Sequence, residues 1–256
     1  KVSVTDNNMC LIVSDPTVLT QPQEITLTSV TYTEPGCFGA SDGQIDPVFS
    51  FETPIDIYAW NTGWNQRMIS DIPADDYTLT VTDRNSCTKE ENFTLTQPGP
   101  IIYESVDLTD PTCYGYNDGR ILIAGSGGAG DLSYSVDAGI NTQASPDFDT
   151  LIAGDYVIRI TDINDCQSTD SSVSLSQPDG ISISSETTID VTCYGGNDGS
   201  ITISASGGAG SLEFSIDDGQ TYAANNGIFT DLISGSYTVR IKDLDNCELP
   251  GSVLVV

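Results

Sequence analysis

The chain has 256 residues, 37 acidic side chains against 8 basic ones and no histidine, so its formal net charge at pH 7 is −29. Phosphate groups are neutralised by Lys and Arg, so nucleic acid and anionic membrane are excluded as partners. The missing histidine excludes a His-based triad and a His-ligated metal, and no run of apolar residues is long enough to insert in a bilayer.

The first element in chain order is a closing string, D-x-N/D-x-C, which ends at Cys10 and recurs at Cys87, Cys166 and Cys247. Gln-Pro follows the first three of these at Gln21-Pro22, Gln97-Pro98 and Gln177-Pro178. Fifteen residues after each proline a second motif opens, C-F/Y-G-x-x-D-G, at Cys37, Cys113 and Cys193. The interval from these cysteines to Gly63, Gly139 and Gly219 is constant, as is that from Tyr77, Tyr156 and Tyr237 to the closing cysteine. Between those blocks the lengths are 14, 17 and 18, so all the slack lies in one connection. Constant blocks signify paired strands, in which a one-residue slip reverses every side chain. The variable segment is expected to be a surface loop.

Division at Gln-Pro gives 1–22 as the tail of an upstream repeat and 23–98, 99–178 and 179–256 as three full repeats. Lys1 falls in mid-pattern, which is expected of a segment cut from a longer array. Within each repeat the pattern predicts six or seven short strands and no helix. Ile201-Thr202-Ile203-Ser204-Ala205 and Tyr237 to Lys242 alternate apolar with polar residues. Gly127-Gly128-Ala129-Gly130 and Gly207-Gly208-Ala209-Gly210 read as turns. The fold class is therefore all-β, tandem immunoglobulin-like β-sandwich repeats. Leu-Ile-Ala-Gly-Asp-Tyr at 151–156 and its counterparts ending at Tyr237 and Tyr77 predict a tyrosine corner, with the hydroxyl tied to the backbone before it.

Seven cysteines without a C-x-x-C pair point to disulfides in an oxidising compartment. Two pairings fit. Within repeats they are Cys37–Cys87, Cys113–Cys166 and Cys193–Cys247, one disulfide per repeat, with Cys10 joined to an upstream partner. Across linkers they are Cys10–Cys37, Cys87–Cys113 and Cys166–Cys193. Four strands between the two cysteines of a repeat return the chain to the pole it left, and the two strands enclosed by the second set return it too. The first set is preferred because a domain of about 80 residues benefits from a staple of its own. That set also brings together candidate calcium ligands: Asp42 with Asp83 and Asn85, Asp118 with Asp162 and Asn164, and Asp198 with Asp243 and Asp245. Oxygen-only ligands suit a hard cation. The plainer reading of each Asp is a turn residue bonding its own backbone. No cofactor other than calcium is implied.

The ordered set C-F/Y-G-x-x-D-G, G-G-x-G, A-G-x-Y-x-V-x-I/V-x-D-x-N-x-C and T/S-Q-P resembles the SprB-type repeat of giant Bacteroidota surface adhesins. Cys193 to Gly199, Gly207 to Gly210 and Tyr237 to Cys247 match best; the first repeat departs most, with Glu52-Thr53-Pro54 in place of the glycine turn. The resemblance implies type IX secretion, display on the bacterial outer surface, a part in gliding motility, and no catalytic residues. Asp149-Thr150-Leu151 resembles the O-glycosylation signal of that group, which would put sugar on Thr150.

The expected function is a non-catalytic stalk giving reach and multivalent attachment. Its partners would be neighbouring repeats, surface polysaccharide or other copies of itself. The alternative is a glycan- or protein-binding module using Trp60, Trp64, Tyr222 and Phe148 around the variable loop. An enzyme is disfavoured, because an active site is seldom copied three times.

Overall fold

The computed structural model describes residues 1–256. It contains twenty strands and no helix, in two compact units, Lys1–Gly99 and Pro100–Val256. The first unit opens with a small hairpin, β1 (Ser3–Thr5) and β2 (Leu11–Val13). Six strands follow: β3 (Thr26–Thr33), β4 (Gly43–Ser50), β5 (Ile55–Trp60), β6 (Ile69–Ile72), β7 (Asp76–Asp83) and β8 (Thr88–Thr94). They form two three-stranded antiparallel sheets, β3-β4-β6 and β5-β7-β8.

The second unit carries the same plan twice. Its first six strands are β9 (Gly99–Thr109), β10 (Gly119–Gly128), β11 (Leu132–Ser135), β12 (Asp147–Leu151), β13 (Gly154–Asp162) and β14 (Ser171–Leu175), in sheets β9-β10-β12 and β11-β13-β14. The next six are β15 (Ser182–Ile189), β16 (Gly199–Ser206), β17 (Glu213–Ser215), β18 (Ile228–Leu232), β19 (Ser236–Lys242) and β20 (Glu248–Val255), in sheets β15-β16-β18 and β17-β19-β20. First, second and fourth strands make one layer, and third, fifth and sixth the other. This is the strand plan of an immunoglobulin-like sandwich without its edge strand D.

Alternation explains the layers. Along β10 the inward residues Ile121 and Ile123 are fully buried while their neighbours are half-exposed, and Ile158 and Ile160 face them from β13. With Leu175 they form the core of residues 101–175. Separate cores are built around Ile45, Ile69, Leu79 and Val81, and around Ile201, Ile203, Val239 and Ile241. Each such side chain contributes about 1.5–3 kcal/mol by leaving water.

The tyrosine corner is present three times. Tyr77 Oη donates to Pro73 O at 2.8 Å, Tyr156 Oη to Ile152 O at 2.7 Å and Tyr237 Oη to Ile233 O at 2.9 Å. Tyr156→Phe is expected to cost about 1 kcal/mol, the worth of one hydrogen bond. For a bead of this size that lowers Tm by roughly 4–8 °C, which differential scanning calorimetry would read.

The variable segment differs from its expectation. It is part loop and part strand, since β6, β12 and β18 lie within it, and the slack is confined to the connections before them. Those connections have a job that strand counting hides. In the second repeat β10 pairs antiparallel to β12, and β11 antiparallel to β13. The short turn after β10 reverses the chain into β11, so β11 and β12 run the same way. The connection between them must therefore travel the whole length of the sandwich. The crossings between Cys113 and Cys166 number five, not four. The β9–β10 turn bearing Cys113 and the β13–β14 turn bearing Cys166 thus lie at opposite poles.

Candidate functional site

Two recurrent turns carry the motifs. The closing string makes a tight hairpin turn held by its aspartate. Asp162 Oδ1 accepts from Asn164 N at 2.9 Å and Cys166 N at 3.0 Å. Asp83 does the same for Asn85 and Cys87, Asp243 for Asp245 and Cys247, and Asp6 for Asn8 and Cys10. The residue before each cysteine is left-handed, with φ from 62° to 66° at Met9, Ser86, Asp165 and Asn246, as a three-residue hairpin loop with a bulge requires. In the second and third repeats the other carboxylate oxygen caps the glycine turn: Asp162 Oδ2 accepts from Ala129 N at 2.7 Å and Asp243 Oδ2 from Ala209 N at 2.8 Å. A Cβ on Gly128 would stand 2.8 Å from that oxygen, which is why glycine precedes the alanine.

The C-F/Y-G motif is a β-turn closed by Tyr116 N donating to Cys113 O at 3.1 Å, with Gly115 at φ 75°. Its aspartate reaches back: Asp118 accepts from Thr112 N at 3.0 Å and from the Thr112 hydroxyl at 2.5 Å, and Asp198 is bound alike by Thr192. The hydroxyl of Thr112 first, and its backbone N–H second, hold the Asp118 carboxyl below the ordinary carboxylate range. Asp42 accepts from Gly36 N. The Gln of Gln-Pro closes the arrangement, for Gln97 Oε1 accepts from Gly39 N and Gln177 Oε1 from Gly115 N, both at 2.7 Å. The sequence pattern marks these glutamines only as repeat boundaries, without their hydrogen bonds, and does not single out Thr112 and Thr192. Their signal was there, in the constant interval between Gln-Pro and the neighbouring motif.

These bonds give the candidate calcium ligands Asp42, Asp83, Asp118, Asp162, Asp198 and Asp243 hydrogen-bond donors of their own. Asp118 and Asp162, on turns at opposite poles, are not brought together, and the same holds for Asp42 with Asp83 and Asp198 with Asp243. No three acidic, cysteine or histidine side chains converge on a metal position. The strongest carboxyl shift lies elsewhere. Asp217 is lowered to about 2 by the Thr221 hydroxyl and N–H and by Ser215. A folded pKa below the unfolded one stabilises above about pH 4 and is lost as pH falls toward 2.

The disulfide assignment is corrected. Cys113 is bonded to Cys247, 134 residues later, with the Cα atoms 5.6 Å apart. Cys37 and Cys166 are disulfide-bonded too, whereas Cys10, Cys87 and Cys193 are exposed free thiols. None of Cys37–Cys87, Cys113–Cys166 and Cys193–Cys247 forms, nor do the cross-linker pairs Cys10–Cys37, Cys87–Cys113 and Cys166–Cys193. The rule of one disulfide within each repeat fails because its two cysteines occupy opposite poles.

The observed bond follows from the same topology. β14 leaves the second repeat at the pole of Cys113, and β15 enters the third at the pole of Cys247. The C-Y-G turn of one bead therefore meets the closing turn of the next. Around the bond, Cys247 Sγ lies 3.5 Å from Thr112 O. The Tyr114 ring lies so close to Gly180 that a Cβ there would come within 3.2 Å of it. Cys113, Tyr114, Tyr116, Gly180, Asp243 and Cys247 line a cleft at this joint.

The aromatic residues proposed as a binding platform divide. Trp60 is buried in its core, its indole N–H donating to Gln66 O at 2.8 Å. Phe148 packs against the core of the second repeat. Tyr222 donates to Glu248 and lies under Lys242. Trp64 alone of the four is exposed. Thr150 is exposed, and its backbone is left-handed at φ 58°. Asp71 and Asp231 occupy the same bulge in the other repeats. A β-branched residue is disfavoured there, so Thr150→Asn is expected to stabilise by about 0.5–1 kcal/mol, seen as a Tm rise of a few degrees.

The class defined by this geometry is a tandem β-sandwich repeat protein with a sulfur bond between consecutive beads. Residues 185–221, which lie in the third bead, match the family model described as the SprB repeat. No curated protein matches the chain. Solved structures similar to it include Sidekick-1 immunoglobulin domains 1–5, at 11% identity and TM-score 0.35 over 90% of this chain and 58% of that one. Others are the N-terminal eight Ig domains of Down Syndrome Cell Adhesion Molecule, at 11% and 0.40 over 88% and 36%, and an I-band fragment from titin, at 12% and 0.42 over 88% and 95%. The chain spans less than two thirds of the length of the first two. The repeat match and the disulfides support an extracellular, repeat-type surface protein.

Proposed function

We propose that the chain is a non-catalytic segment of an extracellular stalk, part of a large bacterial surface adhesin or filament whose work is reach and multivalent attachment, in gliding or in adhesion. The observation that carries this reading is the Cys113–Cys247 bond. Tension applied along the chain enters at Cys113, crosses the sulfur bridge and leaves at Cys247. The 134 residues of separation between them cannot be drawn out while the bond holds. At about 3.3–3.6 Å per residue, this withholds roughly 450 Å of slack. A stalk so tied keeps its length under load.

The charge fits the same role. Six of the eight cations are taken up in ion pairs, among them Arg159 with Asp170 at 2.6 Å and Arg120 with Asp147 at 2.6 Å. The remaining surface is anionic and self-repelling over about a Debye length of 10 Å. Single-molecule pulling from the two termini tests the reading. Dithiothreitol opens the bonds of Cys37 and Cys166 as well, so the oxidised chain is expected to extend by at least roughly 450 Å less than the same chain in dithiothreitol. Equal extension in both states would remove the mechanical basis of the stalk.

A further inference from the structure

We infer that Cys193 is one half of an inter-repeat staple, and that the group it takes is the closing-turn cysteine of another repeat of this kind, docked on the pole where Cys193 and Tyr194 lie. The argument rests on topology and on the bond already present.

Cys193, Tyr194 and Gly195 repeat Cys113, Tyr114 and Gly115, in the same β-turn: Gly196 N donates to Cys193 O at 2.9 Å as Tyr116 N does to Cys113 O. Gly195 has φ 80° where Gly115 has 75°. Thr192 grips Asp198 as Thr112 grips Asp118. The two turns thus present the same sulfur on the same support. They differ in what faces them. Cys113 is buried by its bond to the third repeat, and Tyr114 is seated on Gly180. Cys193 is an exposed free thiol, and Tyr194 is fully exposed. This pole of the third bead is a joint without its second half.

The complementary half is also on the chain. Cys10 and Cys87 sit on closing turns built like that of Cys247, each with its aspartate holding the cysteine N–H, and both are exposed free thiols. A repeat of this type therefore carries a forward sulfur at one pole and a backward sulfur at the other. Joining them gives a covalent ladder in which each bead is bonded to the next. Formation of each rung is a two-electron oxidation of two thiols. It requires a disulfide-exchange oxidant of the oxidising compartment, which takes up both electrons while the two protons are released.

The test extends the full chain after Val256 by a second copy of residues 176–256, which supplies a following bead with its own Gly180 and closing cysteine. Non-reducing peptide mapping is expected to find Cys193 joined to the closing cysteine of the added copy, with Cys113–Cys247 unchanged. Thiol titration should still count three free thiols, as in the parent chain. Cys193 remaining free with two further thiols, or a bond between the two cysteines of the added copy, would overturn the inference. The unextended chain gives a second reading through Cys113→Ser, which frees Cys247. Cys247 should then stay a thiol beside a free Cys193, because the two lie at opposite poles. A Cys193–Cys247 bond in that variant would refute the rule even if the added copy failed to fold.

Discussion

Asp162→Ala is expected to cost about 3–5 kcal/mol and to lower the melting temperature of the second bead by roughly 15 °C or more. Asp162 is buried and accepts three backbone N–H groups, from Asn164, Cys166 and Ala129. Alanine removes both acceptor oxygens, and with them all three hydrogen bonds, and leaves the donors of two turns without partners. Hydrogen bonds to a carboxylate are about twice as strong as neutral ones, so the sum outweighs any single core truncation that deletes one methyl group. Asp162→Asn retains an acceptor oxygen for one turn but turns an amide toward the other, and is expected to lose about half as much.

The same variant separates structural from metal-binding roles. An aspartate serving only backbone N–H groups costs the same with or without calcium, and EGTA should change the melting temperature of the parent chain little. A ligand bound to the folded state alone would raise stability in proportion to the logarithm of its concentration. A calcium-dependent penalty for Asp162→Ala, or a fall of more than about 10 °C in EGTA, would return these carboxylates to the calcium reading.

How much was legible follows from what period-two patterns encode. Ile121 and Ile123 alternate with polar residues, so their strand and its buried face were readable, as were the tyrosine of each corner and the turn character of Asp-Gly. The partner of Cys113 was not. It depends on the pole that each turn occupies, and pole is a parity: one unseen crossing inverts the answer. That crossing is made by the connection between Ser135 and Asp147, which has no strand alternation and so leaves no trace in the pattern. The aromatic residues failed for a related reason. Trp60 and Trp64 are four residues apart, yet one ends a strand in the core and the other lies on the turn beyond it. The joint itself, Tyr114 on Gly180, involves residues 66 positions apart that no spacing within one repeat relates.

Removing the Cys113–Cys247 bond by serine at both positions should split one thermal transition of residues 100–256 into two. Chain entropy assigns a bond of this separation, 134 residues, about 5 kcal/mol if everything it encloses unfolds together. The enclosed residues belong to two separate cores, however, one around Ile121 and Ile158 and one around Ile201 and Ile241. Each can form without the other, so the full figure is not available to either bead. The bond acts instead on their coupling. While it holds, an unfolded second repeat remains tethered at both ends to a folded third, and the loop it can explore is restricted. Each bead is expected to lose about 2–3 kcal/mol in the double variant, with the less stable one melting first. Cys193→Ser serves as the internal control, because that thiol carries no bond within this chain and its loss should leave the single parental transition unchanged. Calorimetry of the oxidised parent, the double variant and the control decides the matter. A double variant that melts as a single transition at the parental temperature would mean that packing of Tyr114 against Gly180 couples the beads and that the sulfur bond adds nothing to it.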